Sequence, residues 1–132
     1  MKLLTDTSAL LALFRHEDEN HQAAADFVRR NPKVRFVMTE LVLAELATRL
    51  RARAGAAQAV AVARELLRSQ RYELLFVDME LLRGALARME RFRDKRLSLA
   101  DCASFETMER LGLDAAFTFD SDFRDCGFRM IP

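Results

Sequence analysis

Four acidic side chains stand where an uncompensated carboxylate is costly. Asp6 follows an apolar run near the start of the chain, and Asp120 follows AAFTF, a run typical of a buried strand. Glu45 lies within or beside the apolar stripe of a predicted helix, and apolar residues fall at i−4, i+4 and i+7 from Asp101 on another. Crowded carboxylates stay charged only beside a cation. The set therefore predicts a site for Mg²⁺ or Mn²⁺, which prefer carboxylate and water ligands.

A cation held in this way can activate water and stabilise the charge that develops on a phosphodiester. The sequence has no Ser-His-Asp pattern, no CxxC pair, no HExxH and no glycine-rich phosphate loop. Its two histidines, His16 and His21, fall in an early charged segment, and we predict that they are solvated. Metal-assisted hydrolysis is therefore the chemistry that the sequence favours.

Each acid also has an ordinary structural explanation. Asp6 stands where a helix N-cap is expected, and Asp101 is a first-turn acid of the kind that the helix dipole favours. Glu45 could be a solvated helix residue, and Asp120 with Asp122 could cap a short turn. Only the combination of the acids favours a functional site.

Composition indicates a globular protein with one domain over residues 1–132. The chain is 51% hydrophobic and 31% charged, and its net charge of +1 gives no bulk attraction for nucleic acid. Two cysteines are too few for a disulfide scaffold. The N-terminal MKLLTDTSALLALF carries an acid in its middle and lacks a cleavage site. No run approaches the roughly 20 apolar residues of a membrane span, so we expect a cytoplasmic protein without a membrane partner.

Apolar runs and turn signals predict strands that alternate with helices. The predicted strands are Lys2–Thr5, Val34–Met38, Tyr72–Val77, Ala115–Phe119 and a short edge strand over Phe128–Ile131. The predicted helices are Ala9–Phe14 (capped by Thr7 or Ser8), His21–Arg30, Thr39–Arg53, Ala56–Gln70, Met79–Phe92 (capped by Asp78) and Ser98–Gly112. Glu40 and Glu106 are predicted on exposed helix faces.

This alternation predicts an α/β fold of three layers, with a mostly parallel five-stranded sheet between helices. In such folds ligands bind beyond the carboxyl ends of the strands. Asp6 and Asp120 are predicted to end strands, and Glu45 and Asp101 to lie in the first turns of the helices that follow. All four acids could converge at that edge.

The acids and their surroundings resemble a known family. Asp6 in LLTDTSALLALF, Glu45 in TELVLAEL, Asp101 in LSLADCASF and Asp120 in FTFDSDF, in this order, resemble the PIN domain. More narrowly, the chain is similar to the VapC-type toxins of bacterial type II toxin–antitoxin pairs, from Lys2 to nearly the end. The resemblance implies a Mg²⁺- or Mn²⁺-dependent endoribonuclease with a five-stranded parallel sheet flanked by helices.

The resemblance also implies roles for individual residues. The four acids would be ligands of one or two metals that activate a water for attack on phosphorus, with Asp122 in a supporting role. Small hydroxyl residues would orient the carboxylates: Thr7, Ser8 and Thr118. Contacts to RNA phosphates are expected from the basic loop and the end of a helix: Arg91, Arg93, Lys95 and Arg96, together with Arg49, Arg51 and Arg53. The same cations could instead be solvated helix ends and a solubilising loop.

Family members usually form homodimers and bind a cognate VapB-type antitoxin, whose C-terminal segment blocks the site. The amphipathic segments Thr39–Arg53 and Ala56–Gln70 are candidate surfaces for both contacts.

Other functions fit less well. A phosphatase of the haloacid-dehalogenase type needs a second Asp two residues after the first, and position 8 is Ser. A response-regulator receiver needs adjacent acids after the first strand, which are absent. An interaction module that only retained the fold would have lost some of the acids, and none is missing. A DNA-cutting nuclease on a related scaffold remains an alternative, although such enzymes carry extra substrate-gripping segments.

Overall fold

The computed structural model describes the whole chain, residues 1–132, as five strands and seven helices. The strands are β1 (Lys2–Thr5), β2 (Arg35–Thr39), β3 (Tyr72–Leu75), β4 (Ala115–Phe117) and β5 (Arg129–Ile131). The helices are α1 (Thr7–Phe14), α2 (His21–Arg30), α3 (Glu40–Ala54), α4 (Ala56–Arg68), α5 (Met79–Arg91), α6 (Leu99–Leu111) and α7 (Asp122–Asp125). None of these helices combines the length and the apolar character that crossing a bilayer requires.

All five strands run parallel, in the order β3-β2-β1-β4-β5. The predicted α/β fold with a five-stranded sheet is confirmed, and the sheet is wholly rather than mostly parallel. From β1 the chain builds the sheet outward through β2 and β3, and it then returns to place β4 on the other side of β1. Ligands bind beyond the carboxyl ends of the strands at such a reversal of strand order. The edge beyond β1 and β4 is therefore where the fold favours a site.

Helices cover both faces of the sheet and give three layers. Leu3 and Phe36 point to the side of α1 and α2. Leu4, the next residue along β1, points to the opposite side and packs in a cluster with Phe105 and Met108 of α6. This alternation of side chains follows from the strand's two-residue period. It places α6 across the sheet from α1.

Helix α3 lies where the two layers meet. Its predicted apolar stripe is confirmed at Val42, Leu46 and Leu50, which are buried in a cluster with residues of α1 and α4. Leu41, however, packs against the cluster around α6. Because α3 contacts both α1 and α6, its residue Glu45 is held near the helix that follows Asp6 and the helix that carries Asp101.

Two strands are shorter than predicted because backbone N–H groups near their predicted ends donate to side chains instead of to a neighbouring strand. β3 stops two residues short of Val77, whose N–H donates to the Glu40 carboxylate at 2.9 Å. β4 stops two residues short of Phe119, whose N–H donates to Ser8 Oγ at 3.0 Å. The remaining predicted elements begin and end within two residues of their observed limits, and the short helix α7 was not predicted.

The prediction that Glu40 and Glu106 are exposed is wrong. Glu40 binds the backbone after β3, and the Glu106 side chain is only 26% exposed. Its Oε1 accepts a hydrogen bond from Nε of Arg88 at 2.9 Å, and Nη2 of the same arginine lies 2.6 Å from Oε1 of Glu109. The Arg88 side chain is 4% exposed. This buried guanidinium ties α5 to α6, the helix that carries Asp101.

We expect Arg88→Met to lower the free energy of unfolding by about 2 kcal/mol. Methionine fills much of the same volume, but both ion pairs are lost and Glu106 keeps a partly buried charge without a cation. The loss stays below that of a fully buried pair because Glu109 can turn to water. Urea unfolding measures the change. Arg83→Met, an exposed position on the same helix, should cost less than about 0.5 kcal/mol. Equal losses in the two variants would contradict this role for Arg88.

Candidate active site

A polar cavity of about 200 Å³ opens at the predicted edge of the sheet. Its lining contains no hydrophobic residue and consists of Asp6, Thr7, Ser8, Glu45, Arg49, Arg96, Ser98, Asp101, Asp120 and Asp122. The structure thus brings together all four acids of the predicted quartet and the supporting acid. A larger cavity of about 360 Å³, beside Met1 and Pro32, lies at the opposite edge of the sheet and has no acidic lining residue.

Asp6 is placed by the junction between β1 and α1. It is the N-cap of α1, and its Oδ1 accepts the N–H of Ala9 at 3.3 Å. The predicted caps Thr7 and Ser8 are wrong, since α1 already begins at Thr7. Ser8 Oγ donates to the same Oδ1 at 2.9 Å. The Asp6 residue is 4% exposed, so these two donors fix a nearly buried carboxyl group.

Asp101 is the third residue of α6 and forms a capping box with Ser98. Its N–H donates to Ser98 Oγ at 3.0 Å, and its Oδ2 accepts the Ser98 N–H at 3.1 Å. The predicted first-turn position is confirmed. Ser98 was predicted only to open the helix, and the S-x-x-D spacing signals its second role as the residue that fixes a carboxylate.

Glu45 and Asp120 complete the group from two other elements. Glu45 lies in the second turn of α3, not in the first as predicted, and its Oε1 is 3.7 Å from Nη2 of Arg49. Asp120 lies beyond β4, where its Oδ1 accepts the N–H of Asp122 at 2.9 Å. Four carboxylates therefore come from four segments that are distant in sequence.

Hydroxyl groups link the ends of β1 and β4. Ser8 Oγ, which donates to Asp6, accepts the N–H of Phe119 at 3.0 Å and lies 3.4 Å from Thr118 Oγ1. Thr118 Oγ1 in turn accepts the N–H of Asp120 at 3.0 Å. Two of the three predicted hydroxyl residues thus join the two strand ends that carry acids. Thr7 lines the cavity without a side-chain hydrogen bond to an acid.

Burial and mutual repulsion act on these acids in the absence of a cation. Burial raises the pKa of Asp6 from 3.8 to about 7, against the opposing effect of its hydrogen bonds. Burial also raises the pKa of Asp101, and the charges of Asp120 and Glu45 add to that rise. The pKa of Asp122 is raised by burial and then by Asp120. The group is therefore short of positive charge.

The donor set fits a hard divalent cation. It consists of carboxylate and hydroxyl oxygens, with no thiol or imidazole in the cavity. No three His, Cys, Asp or Glu side chains stand close enough to form a ready-made metal site. Mg²⁺ is compatible with this spacing because it usually binds through one or two carboxylates and keeps several waters.

The predicted basic residues are divided by the structure. Arg49 and Arg96 line the acidic cavity. Arg91, Arg93 and Lys95 do not; the Arg91 guanidinium lies 4.8 Å from the Phe92 ring, and Lys95 Nζ is 3.9 Å from an Asp125 oxygen. Arg53 lines a further cavity at the end of α1. Arg51 lines another between α3 and α4.

The histidines are not both solvated as predicted. His21 is partly buried, and its Nδ1 is 2.7 Å from the carbonyl oxygen of Ala12 at the end of α1. His16 is exposed, but its ring packs on the His21 ring with 4.5 Å between centroids.

Comparison with known proteins agrees with the fold. The PIN domain family matches residues 3–129. The chain therefore belongs to the PIN-domain family.

Its relatives within this family are VapC-type toxins. The chain is 34% identical over 128 residues to the 23S rRNA-specific endonuclease VapC20 of Mycobacterium tuberculosis, and the match covers 96% of this chain and 95% of that protein. The crystal structure of VapC20, a sarcin–ricin loop cleaving toxin, superposes with a TM-score of 0.88 and 30% identity, again over 96% and 95%. DNA-bound VapBC from Salmonella typhimurium shares the fold, with a TM-score of 0.70 and 17% identity over 98% of this chain and 96% of that one.

Proposed function

We propose that this protein is a metal-dependent endoribonuclease, the toxin of a VapBC-type toxin–antitoxin pair, and that residues 1–132 form a single PIN domain. One observation carries the proposal. In a chain of the PIN-domain family, four carboxylates from distant segments meet in one polar cavity at the point where the strand order reverses. Membership of this family favours a nuclease over the phosphatase alternative.

In the proposed reaction a water attacks phosphorus and an RNA phosphodiester is hydrolysed. Asp6, Glu45, Asp101 and Asp120 would hold Mg²⁺ or Mn²⁺, directly or through its bound waters, with Asp122 in support. When bound, the cation supplies an activated water and stabilises the charge that develops at phosphorus. The chain's own part is to hold the carboxylates in place through capping hydrogen bonds. Arg96 and Arg49, which line the same cavity, would contact phosphates of the substrate. Arg91, Arg93 and Lys95 would contribute only to outlying parts of a long RNA.

The biological setting follows from the relatives. VapC20 acts on 23S rRNA and cleaves the sarcin–ricin loop, so structured ribosomal RNA is the first substrate to test. Solved VapBC complexes support a VapB-type antitoxin as the partner. We also propose a homodimer and a cytoplasmic location, where ribosomes are the target.

Incubation of purified protein with 23S rRNA, short RNAs and single-stranded DNA tests the proposal. Each substrate is combined with Mg²⁺, Mn²⁺ or EDTA, beside the double variant Asp6→Ala/Asp101→Ala. Metal-dependent RNA cleavage that the double variant lacks is expected. Cleavage of DNA alone would overturn the ribonuclease proposal in favour of the DNA-cutting alternative. RNA cleavage that persists in EDTA would show that the reaction does not depend on a metal.

Ser8→Ala should slow cleavage by about 10- to 100-fold, the usual cost of losing a group that orients a metal ligand. The variant lacks both the donor to Asp6 and the acceptor for the Phe119 N–H. Cleavage rates across a Mg²⁺ titration measure the effect. The folded variant should need a higher Mg²⁺ concentration to reach half of its maximal rate. Ser121→Ala, beside Asp120 but without a side-chain capping bond, is the matched control. A Ser8→Ala rate equal to the control rate would show that this hydroxyl has no such role.

A further inference from the structure

A second cavity of about 220 Å³ lies further along α1 and α3 than the acidic one. It is bounded by the end of α1, the end of α3 and the start of α4, and its lining includes Phe14, His16, Arg53 and Gln58. This volume is smaller than the roughly 300–1,000 Å³ of sites for drug-sized ligands, so it suits a single heterocyclic ring. The acidic chemistry does not use any of these residues.

The two cavities are separated by a distance that suits successive nucleotides. The acidic cavity contacts Ser8 at the start of α1 and Arg49 on α3; the second contacts Phe14 at the end of α1 and Arg53 on α3. At 1.5 Å per helical residue, these pairs are about 9 Å and about 6 Å apart. Stacked nucleotides advance by about 3.4 Å each. A strand that is cut in the acidic cavity therefore reaches the second cavity within about three nucleotides.

The His16 ring is a supported aromatic surface. His21 is anchored at 2.7 Å to the Ala12 carbonyl, and the His16 ring packs against it at 4.5 Å between centroids. His16 itself is exposed and has no hydrogen-bond partner in the protein. A ring that packs against a neighbouring ring at a tilt of 51° and is exposed to solvent can stack on a base, and such stacking tolerates any of the four bases.

The polar groups around this ring are free to bind. Arg53 makes no ion pair, and neither Arg53 nor Gln58 has a side-chain hydrogen bond in the structure. Arg15, the other arginine of the cavity, is 3.4 Å from Glu17. Arg53 continues the line of Arg49 one helical turn further from the acids. A guanidinium suits a phosphate, and a glutamine amide both donates to and accepts from the edge of a base.

We propose that this second cavity is a base-binding subsite of the RNA substrate, in which His16 stacks on the base, Gln58 reads its edge and Arg53 binds the adjoining phosphate. The subsite rests on the proposed ribonuclease function and sets which base is preferred within three nucleotides of the cut. An aromatic platform beside an unpaired guanidinium favours RNA over a protein segment as the occupant.

Binding of hexaribonucleotides of A, C, G or U to the full chain tests the subsite, with Asp101→Asn present throughout to prevent cleavage. Fluorescence anisotropy gives each Kd. His16→Ala should weaken binding of all four hexamers by about 5- to 150-fold, because stacking tolerates any base. His16→Phe should retain binding. Arg53→Gln should weaken all four hexamers and lower the salt dependence by about one charge. Arg83→Gln, at an exposed position on α5 that lines neither cavity, is the matched control.

Several results would overturn the subsite. The first is that the His16→Ala and Arg53→Gln proteins bind the hexamers as tightly as the Arg83→Gln protein does. The second is that the Asp101→Asn parent binds no hexamer. Variants that keep their RNA affinity but lose an antitoxin peptide would assign the cavity to a protein partner. If the unsubstituted protein cuts no RNA while base-selective binding persists and depends on His16, the ribonuclease proposal fails and the subsite stands.

Discussion

Asp101→Asn is expected to reduce RNA cleavage by about 1,000-fold or more while the protein stays folded. Asparagine removes the charge that the proposed cation needs, yet its side-chain oxygen can still accept the Ser98 N–H and preserve the capping box. Burial raises the pKa of Asp101, and Asp120 and Glu45 raise it further. Removing this charge relieves repulsion, so the metal-free variant should unfold at a higher urea concentration than the parent.

The cleavage rate and the urea midpoint of unfolding are both measured on the same preparation of the Asp101→Asn variant and of the parent. Asp94→Asn, an exposed acid on the loop between α5 and α6, supplies the matched change in charge and should leave both quantities unchanged. A fully active Asp101→Asn protein would refute the assignment of this carboxylate to the site. Loss of activity together with a lower urea midpoint would show that Asp101 acts in folding.

The acidic positions could be predicted because each has a local signal. Asp6 and Asp120 follow short apolar runs, and the period of α6 places Asp101 beside apolar residues. Strands that alternate with helices then imply a parallel sheet, and a parallel sheet brings its carboxyl ends to one edge. Convergence at that edge therefore follows from topology, without knowledge of any side-chain contact.

The contacts that hold the acids could not be predicted, because their partners are distant in sequence. Ser8 meets the backbone of Phe119 across 111 positions, and Glu40 meets that of Val77 across 37. Each contact ends a strand earlier than the apolar pattern indicates. Glu106 was predicted to be exposed since nothing in its own helix reveals the buried Arg88 on α5. Local periodicity predicts which face of a helix or strand is apolar, but not which polar group of another element will contact it.

The structural and functional explanations of the acids prove to be compatible. Asp6 caps α1, Asp101 closes a capping box and Asp120 accepts a backbone N–H at the start of α7. Each of these bonds occupies one carboxylate oxygen and fixes its orientation. Helix capping is thus the means by which the chain positions the oxygens that remain for the proposed cation.

The metal-free protein is expected to lose stability as pH rises from about 4 to about 7. Burial raises the pKa of Asp6 from 3.8 to about 7 in the folded state. In this range the folded state therefore binds more protons than the unfolded state, and the free energy of unfolding must fall with increasing pH. At 1.36 kcal/mol per pKa unit, the loss is at most about 4 kcal/mol. Urea unfolding in EDTA across this range measures it.

Two additions separate Asp6 from other titrating groups. Asp6→Asn keeps an acceptor for Ser8 and Ala9 but carries no charge, so its stability in EDTA should fall much less over the same range and exceed that of the parent at pH 8. Mg²⁺ at 100 times its Kd should restore about 2.7 kcal/mol to the parent at pH 8 and little to the variant. A free energy of unfolding that stays level or rises between pH 4 and 7 without metal would show that the charge on Asp6 does not destabilise the folded protein. The acidic cavity would then need no cation to balance that charge.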